Sequence, residues 1–196
     1  MRKLENARKQ SVLNFIILIP MFFAFSILFP QSGDAKATDF ASYWQAGHMI
    51  LNGQNVYDST EWIAVRDAEQ TAYHSEKTFQ YPLPFAVFFA LLALFPIQFA
   101  YLLWTFLAQI GILVSVNLLL SFYPERPRYL DLLAIAGVFL FRPTFPAISN
   151  GQIVPFLLFL LSVSIRLFHD ERWLSGGLVM SALSLKPSIG IPILVL

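Results

Sequence analysis

The chain has 196 residues, of which 57% are hydrophobic and only 13% charged, with a net charge of +1 and a mean hydropathy of +0.62. Soluble domains carry about 25% charged residues, so this composition excludes an ordinary soluble globule, and the near-zero net charge leaves no basic face for nucleic acid. The absence of cysteine excludes disulfides, thiolate metal sites and cysteine nucleophiles; His48, His74 and His169 have no metal-ligand spacing, so no metal site and no cofactor is expected.

Arg2, Lys3, Arg8 and Lys9 precede the first apolar run, residues 12–29. A basic start before an apolar stretch also describes a signal peptide, whose apolar region is usually about 7–15 residues and ends at a small-residue cleavage site. This run has 18 residues, counting 12 through 29, and leads into Phe29-Pro30-Gln31-Ser32, which is no such site. It reads as a retained first span. The positive-inside rule then places the N-terminus in the cytoplasm and residues 31–80 outside.

Residues 31–80 are the long polar stretch of the chain and carry Asp34, Asp39, Asp58, Glu61, Asp67, Glu69 and Glu76. Thr38-Asp39 reads as a helix start, because both side chains can take up free backbone N–H groups. Asn52-Gly53 reads as its end, because both tolerate a left-handed cap. Between them Phe40, Tyr43, Trp44, Gly47 and Leu51 fall on one helical face, and its aromatic character is that of a helix at a membrane interface. Residues 53–58 form a turn, 61–73 a second short helix, and Pro82 and Pro84 set the approach of the next element.

The spans that follow are assigned by length and charge. Residues 81–95 give roughly 15 apolar positions before Pro96, at or below the ~17 needed to cross. If this segment crosses, Arg126, Arg128, Arg166 and Arg172 fall outside. If it is re-entrant, both basic loops fall in the cytoplasm, as the positive-inside rule prefers. The second version gives spans near 12–29, 99–122, 129–148, 152–168 and 173–196, with Asn150-Gly151-Gln152 on the same side as Asp39. The last run stops at Leu196 in mid-stretch, so residues 1–196 read as the N-terminal part of one larger transmembrane domain. The expected fold is an all-α, polytopic helical membrane bundle with short interfacial helices on an exterior loop.

Asp39 has two readings, a helix cap beside Thr38 or a carboxylate placed at the membrane surface to act on a substrate whose tail stays in lipid. Lys186 lies inside the last apolar run, about 13 residues and ~20 Å along a helix from its cytoplasmic end. A cation inside a span is costly and is a functional candidate by default; an ion pair with a carboxylate of the remaining part of the domain is the other reading, and the two are compatible. Asn150 and Gln152 serve either a ligand or the backbone where two spans meet, and Arg142 beside Pro143 has the same two readings.

Asp39-Phe40-x-x-Tyr43, Gly53-x-x-x-Tyr57, Phe79-x-Tyr81-Pro82-x-Pro84, Gly151-Gln152, Gly176-Gly177 and Lys186-Pro187 occur in this order. The series resembles the N-terminal half of glycosyltransferase family 87, GT-C-type integral membrane enzymes that include polyprenyl-phosphate-mannose-dependent mannosyltransferases. The more usual Tyr-Pro-Pro is Tyr81-Pro82-Leu83-Pro84 here. The resemblance implies a multi-pass enzyme of the cytoplasmic membrane that moves a hexose, mannose first among them, from a polyprenyl-phosphate donor to a glycolipid or glycan hydroxyl on the exterior face, with inversion. It implies Asp39 as general base and Lys186, then Arg142, as the cation for the lipid phosphate; beside Asp39, the small residues Ala46 and Gly47 read as leaving room for a sugar. It also implies substrate contacts from Tyr43, Tyr81, Asn150 and Gln152. Neither a GxGxxG fingerprint nor a P-loop is present.

Two other classes remain open. A transporter or flippase for lipid-linked sugars would place its site at broken helices near the midplane, and would predict inverted repeats that these residues do not display. A non-catalytic membrane scaffold becomes the better reading if the natural chain stops at Leu196.

Overall fold

Apolar runs and proline positions account for the helices of the computed structural model, which describes residues 35–71, 77–127 and 129–195; no strand occurs among them. The expected first span at 12–29, its basic flank, Arg128 and the far end of the expected 61–73 helix lie outside the described residues. All that is described falls within one unit, residues 33–196.

Helix α1 (Asp39–Leu51) starts where the sequence suggests, though not by the expected cap. Thr38 is extended and its hydroxyl donates backwards to the Ala35 carbonyl at 2.6 Å, leaving the helix N-terminus to other partners. At the other end Gly53 adopts φ +67°, the left-handed conformation that glycine accepts without a Cβ penalty. Helix α2 (Ser59–Glu69) is capped by Asp58, whose carboxylate accepts from the amides of Thr60 at 2.8 Å and Glu61 at 3.0 Å.

Pro82 and Pro84 introduce α3 (Leu83–Ala93), where a proline in the first turn costs no hydrogen bond. Its 11 residues rise only ~16 Å, about half of a ~30 Å hydrocarbon core. Pro96 then starts α4 (Ile97–Leu120), whose 24 residues rise ~36 Å. Among the described residues α4 is the one helix long and apolar enough to cross a membrane.

The two segments expected as continuous spans at 129–148 and 173–196 are each broken by proline. The first divides into α5 (Tyr129–Leu140) and α6 (Thr144–Ser149) around Pro143. Proline cannot donate and pushes the preceding residue out of helical geometry. The Thr144 hydroxyl donates to the Val138 carbonyl at 2.7 Å, satisfying one of the acceptors the break leaves open. The second divides into α8 (Trp173–Ser181), a 3-10 turn at Ala182–Leu185 and α9 (Pro187–Val195). Lys186 sits in that break at φ −127°, ψ 86°, immediately before Pro187. Between these pairs lies α7 (Val154–His169).

Helix α1 packs on α3 so closely that a Cβ on Gly47 would lie 2.4 Å from the Phe89 backbone. Its aromatic face is buried with Phe85, Phe89 and Trp104 instead of standing free as an interfacial anchor, and only Leu51 of that face is exposed. Gln45, 1% exposed, accepts from Thr71 at 2.5 Å and donates to the Trp62 carbonyl at 2.9 Å, fastening α2 and its exit to α1.

Helices α4 and α7 run side by side in the same direction. Trp104 stacks on Phe156 at 3.9 Å near their starts, and the Arg166 guanidinium reaches the Ser121 hydroxyl at 3.3 Å near their ends. The broken α5–α6 element carries the chain back between them. At the far end of α4, Arg126 pairs with the buried Asp131 carboxylate and donates to the Tyr123 carbonyl at 2.9 Å. The basic loop and the start of α1 thus lie at opposite ends of α4.

Candidate active site

The site is built on the N-terminus of α1. Asp39 is the first residue of that helix and is half-buried. A carboxylate there is favoured by the helix dipole and its free amides. The adjacent amide, Phe40 N–H, donates to the carbonyl of Asn150 at 3.3 Å. That contact spans more than half the chain and fixes the 150–152 turn against the helix that carries Asp39.

The turn itself follows from local chemistry. Gly151 takes φ +62°, and its amide donates to Ile148 at 2.9 Å while that of Gln152 donates to Ala147 at 2.9 Å, closing the end of α6. A Cβ at Gly151 would lie 2.6 Å from Phe40 Cβ and 3.3 Å from the Tyr101 ring. Two residues of α4 grip the same turn: the Trp104 indole donates to the Gly151 carbonyl at 2.8 Å, and the Tyr101 hydroxyl donates to the Ser149 carbonyl. The turn that carries Asn150 and Gln152 is therefore held against the first turn of α1, and both residues are partly exposed.

Tyr43, one turn along α1, meets Tyr81 hydroxyl to hydroxyl at 3.2 Å, with the rings edge to face at 5.3 Å. The Tyr57 hydroxyl donates to the Tyr81 carbonyl at 2.7 Å, and the Phe79 amide donates to the Val56 carbonyl at 3.0 Å. These bonds tie the Tyr81-Pro82-Leu83-Pro84 segment to the polar loop. Tyr43 and Tyr81 thus belong to one cluster.

An open cavity of about 370 Å³ lies beside this cluster, lined by Phe85, Trp104, Phe156, Leu157 and Leu185 among others. All its lining residues are apolar. Its volume falls in the ~300–1,000 Å³ range of small-ligand pockets, and its chemistry suits a hydrocarbon chain. Leu185, at its edge, immediately precedes Lys186.

Two expectations change on this geometry. Lys186 is not a cation in the middle of a continuous helix; it is half-exposed at a helix break, its carbonyl accepting from Ile189 and Gly190 at 2.9 Å each. Ala46 and Gly47 leave no room for a sugar, since Ala46 is fully buried and Gly47 is closed off by the α3 backbone. Arg142 is exposed in the α5–α6 break, and no described contact ties it to the Asp39 cluster. Among the described residues no three His, Asp or Glu side chains form a metal-binding group.

Tyr101 and Trp104 escape a reading of the sequence. The signal lay in Tyr101-x-x-Trp104, two aromatics with polar tips one turn apart inside an apolar helix, where each tip needs an acceptor.

A model of glycosyltransferase family 87 matches residues 79–196, more than half of the chain. The match contains Tyr81, Arg142, Asn150, Gln152 and Lys186, and begins after Asp39 and Tyr43. No curated protein and no solved structure matches the chain.

Proposed function

The chain belongs to glycosyltransferase family 87, and from that premise we propose that it transfers a hexose, mannose being the first candidate, from a polyprenyl-phosphate donor to a hydroxyl of a glycolipid or glycan. The enzyme is a glycosyltransferase and so takes a sugar donor and an acceptor; the lipid nature of the donor is our reading. The observation that supports it is the hydrogen bond from the Phe40 amide to the Asn150 carbonyl, which docks the 150–152 turn on the first turn of α1, with an apolar cavity lined by Trp104 and Ile153 beside that turn.

In this reading the cavity between α3, α4 and α7 takes part of the polyprenyl chain, and the sugar phosphate stands at its polar edge. Asp39 accepts the proton of the acceptor hydroxyl as that oxygen bonds to the anomeric carbon. The bond from the anomeric carbon to the phosphate oxygen breaks in the same displacement, so the configuration inverts and the lipid phosphate leaves with the electron pair. General-base help of this kind is worth about 10²–10⁴-fold.

A cation near the departing phosphate stabilises the developing charge. Lys186 supplies it, next to Leu185 of the cavity wall and immediately before α9. Tyr43, Tyr81, Asn150 and Gln152 contact the sugar or the acceptor. The protein sits in the cytoplasmic membrane as a multi-pass chain, with its N-terminus and the Arg126 loop inside and the Asp39 end outside.

The test is transfer by the full chain in detergent or proteoliposomes from a panel of polyprenyl-phosphate sugars, with the anomeric configuration of the product read by NMR. Transfer from one of these donors with inversion is expected. Transfer only from a sugar nucleotide, or retention of configuration, would overturn the reading.

A further inference from the structure

We propose that Trp104 ties occupancy of the apolar cavity to the position of Asp39, so that the donor's apolar chain contributes to turnover as well as to affinity. This rests on the reading that the cavity holds that chain and that Asp39 is the base. Trp104 is 2% exposed and stacks on Phe156 at 3.9 Å and 21°, both rings forming part of the cavity wall. The same indole donates its N–H to the Gly151 carbonyl at 2.8 Å. The next carbonyl back, that of Asn150, accepts from Phe40, the residue after Asp39. The cavity wall and the catalytic end of α1 are therefore two hydrogen bonds apart.

The linkage is mechanically tight. Gly151 has no space for even a Cβ against Phe40, so a shift of the turn is passed to the start of α1. The Phe40 ring also lies 6.1 Å from that of Trp104. A chain that fills the cavity packs on the Trp104–Phe156 stack and holds the indole where its N–H reaches Gly151. A short chain leaves that wall partly unsupported, and Asp39 spends less time in its working position. Remote, unreactive parts of a substrate commonly raise kcat in this way.

Two donors bearing the same sugar phosphate on a long polyprenyl and on a geranyl chain, used with the full chain, test the idea. The wild type is expected to give a higher kcat with the long chain. Trp104→Phe keeps an aromatic wall and removes the N–H, so kcat with the long donor should fall about tenfold, the size of one neutral hydrogen bond, with donor KM nearly unchanged. The chain-length difference in kcat should then disappear. Phe156→Leu, which alters the wall and leaves the hydrogen bond, should raise KM for the long donor.

A wild type whose kcat ignores chain length would overturn the coupling, as would Trp104→Phe with normal kcat or with equal losses for both donors. If Trp104→Phe does not fold, the wild-type comparison of the two donors still decides, since equal kcat values overturn the proposal. A wild type that uses neither lipid donor defeats the functional reading itself, an outcome visible before any variant is made.

Discussion

Tyr43 and Tyr81 place their hydroxyl oxygens 3.2 Å apart although 38 positions separate them in sequence. The pair joins α1 to the segment that leads into α3, and both rings pack against Phe85 of the cavity wall. Tyr43→Phe and Tyr81→Phe should each lower thermal stability modestly. A double-mutant cycle should give a coupling of about 0.5–1.5 kcal/mol, the net value of a neutral hydrogen bond. Strict additivity in thermal unfolding would show that the hydroxyls do not cooperate.

Gly151 is held at φ +62° with Phe40 pressed against it, whereas Gly177 in α8 has nothing within 4 Å of a prospective Cβ. Gly151→Ala should destabilise by about 2 kcal/mol or more, combining the left-handed penalty of ~1–2 kcal/mol with a steric clash. Gly177→Ala should be neutral or stabilising by up to ~1 kcal/mol, since alanine is the better helix former. Melting temperatures in detergent separate the two, and equal shifts would contradict the packing at the turn.

Much of this architecture was legible because membrane-like composition and proline placement are strong local signals. The start of α1 at Asp39 and its close at Asn52-Gly53 were read from residue types, although Thr38 does not supply the cap expected of it, and the span expected at 99–122 is the helix over 97–120. The breaks at Pro143 and Pro187 were present in the sequence too, but length and hydropathy alone read through them. Asn150-Gly151-Gln152 was read only as lying on the same side as Asp39; the Phe40–Asn150 bond that docks this turn on α1 is long-range and leaves no local trace. Gly47 misled for a related reason, since a small residue looks the same whether it makes room for a ligand or for another helix.

Ser59 and Glu125 test the placement of the two ends of α4. Both are exposed, one at the start of α2 and the other in the loop after α4. In a chain without cysteine, Ser59→Cys and Glu125→Cys each give a single label site. An impermeant thiol reagent applied to intact cells should label the first and not the second. External labelling of Glu125→Cys would reverse the arrangement and make α3 part of a crossing.

Lys186→Met keeps side-chain length and apolarity while removing the charge. The residue is half-exposed at a helix break beside the cavity wall, so folding should be little affected. Donor use should fall, seen as a higher KM for the lipid-phosphate sugar together with a lower kcat, because the cation meets phosphate before and during departure. A variant that fails to insert or fold would assign Lys186 to a structural ion pair and remove it from the site.

Asp39→Asn is the decisive substitution for the proposed chemistry. It is nearly isosteric and retains a side-chain oxygen at a helix start, where Asn and Asp are equally good. The hydrogen bond from Phe40 to Asn150 uses backbone atoms only and survives the change. Expression, insertion and melting temperature should therefore stay close to wild type. The amide cannot accept the acceptor's proton at neutral pH, so sugar transfer should drop by about 10²-fold or more, in kcat more than in KM, because the missing interaction belongs to the transition state. Near-normal turnover by Asp39→Asn would leave the carboxylate with a role at the helix terminus alone and would move the search for the base to another residue.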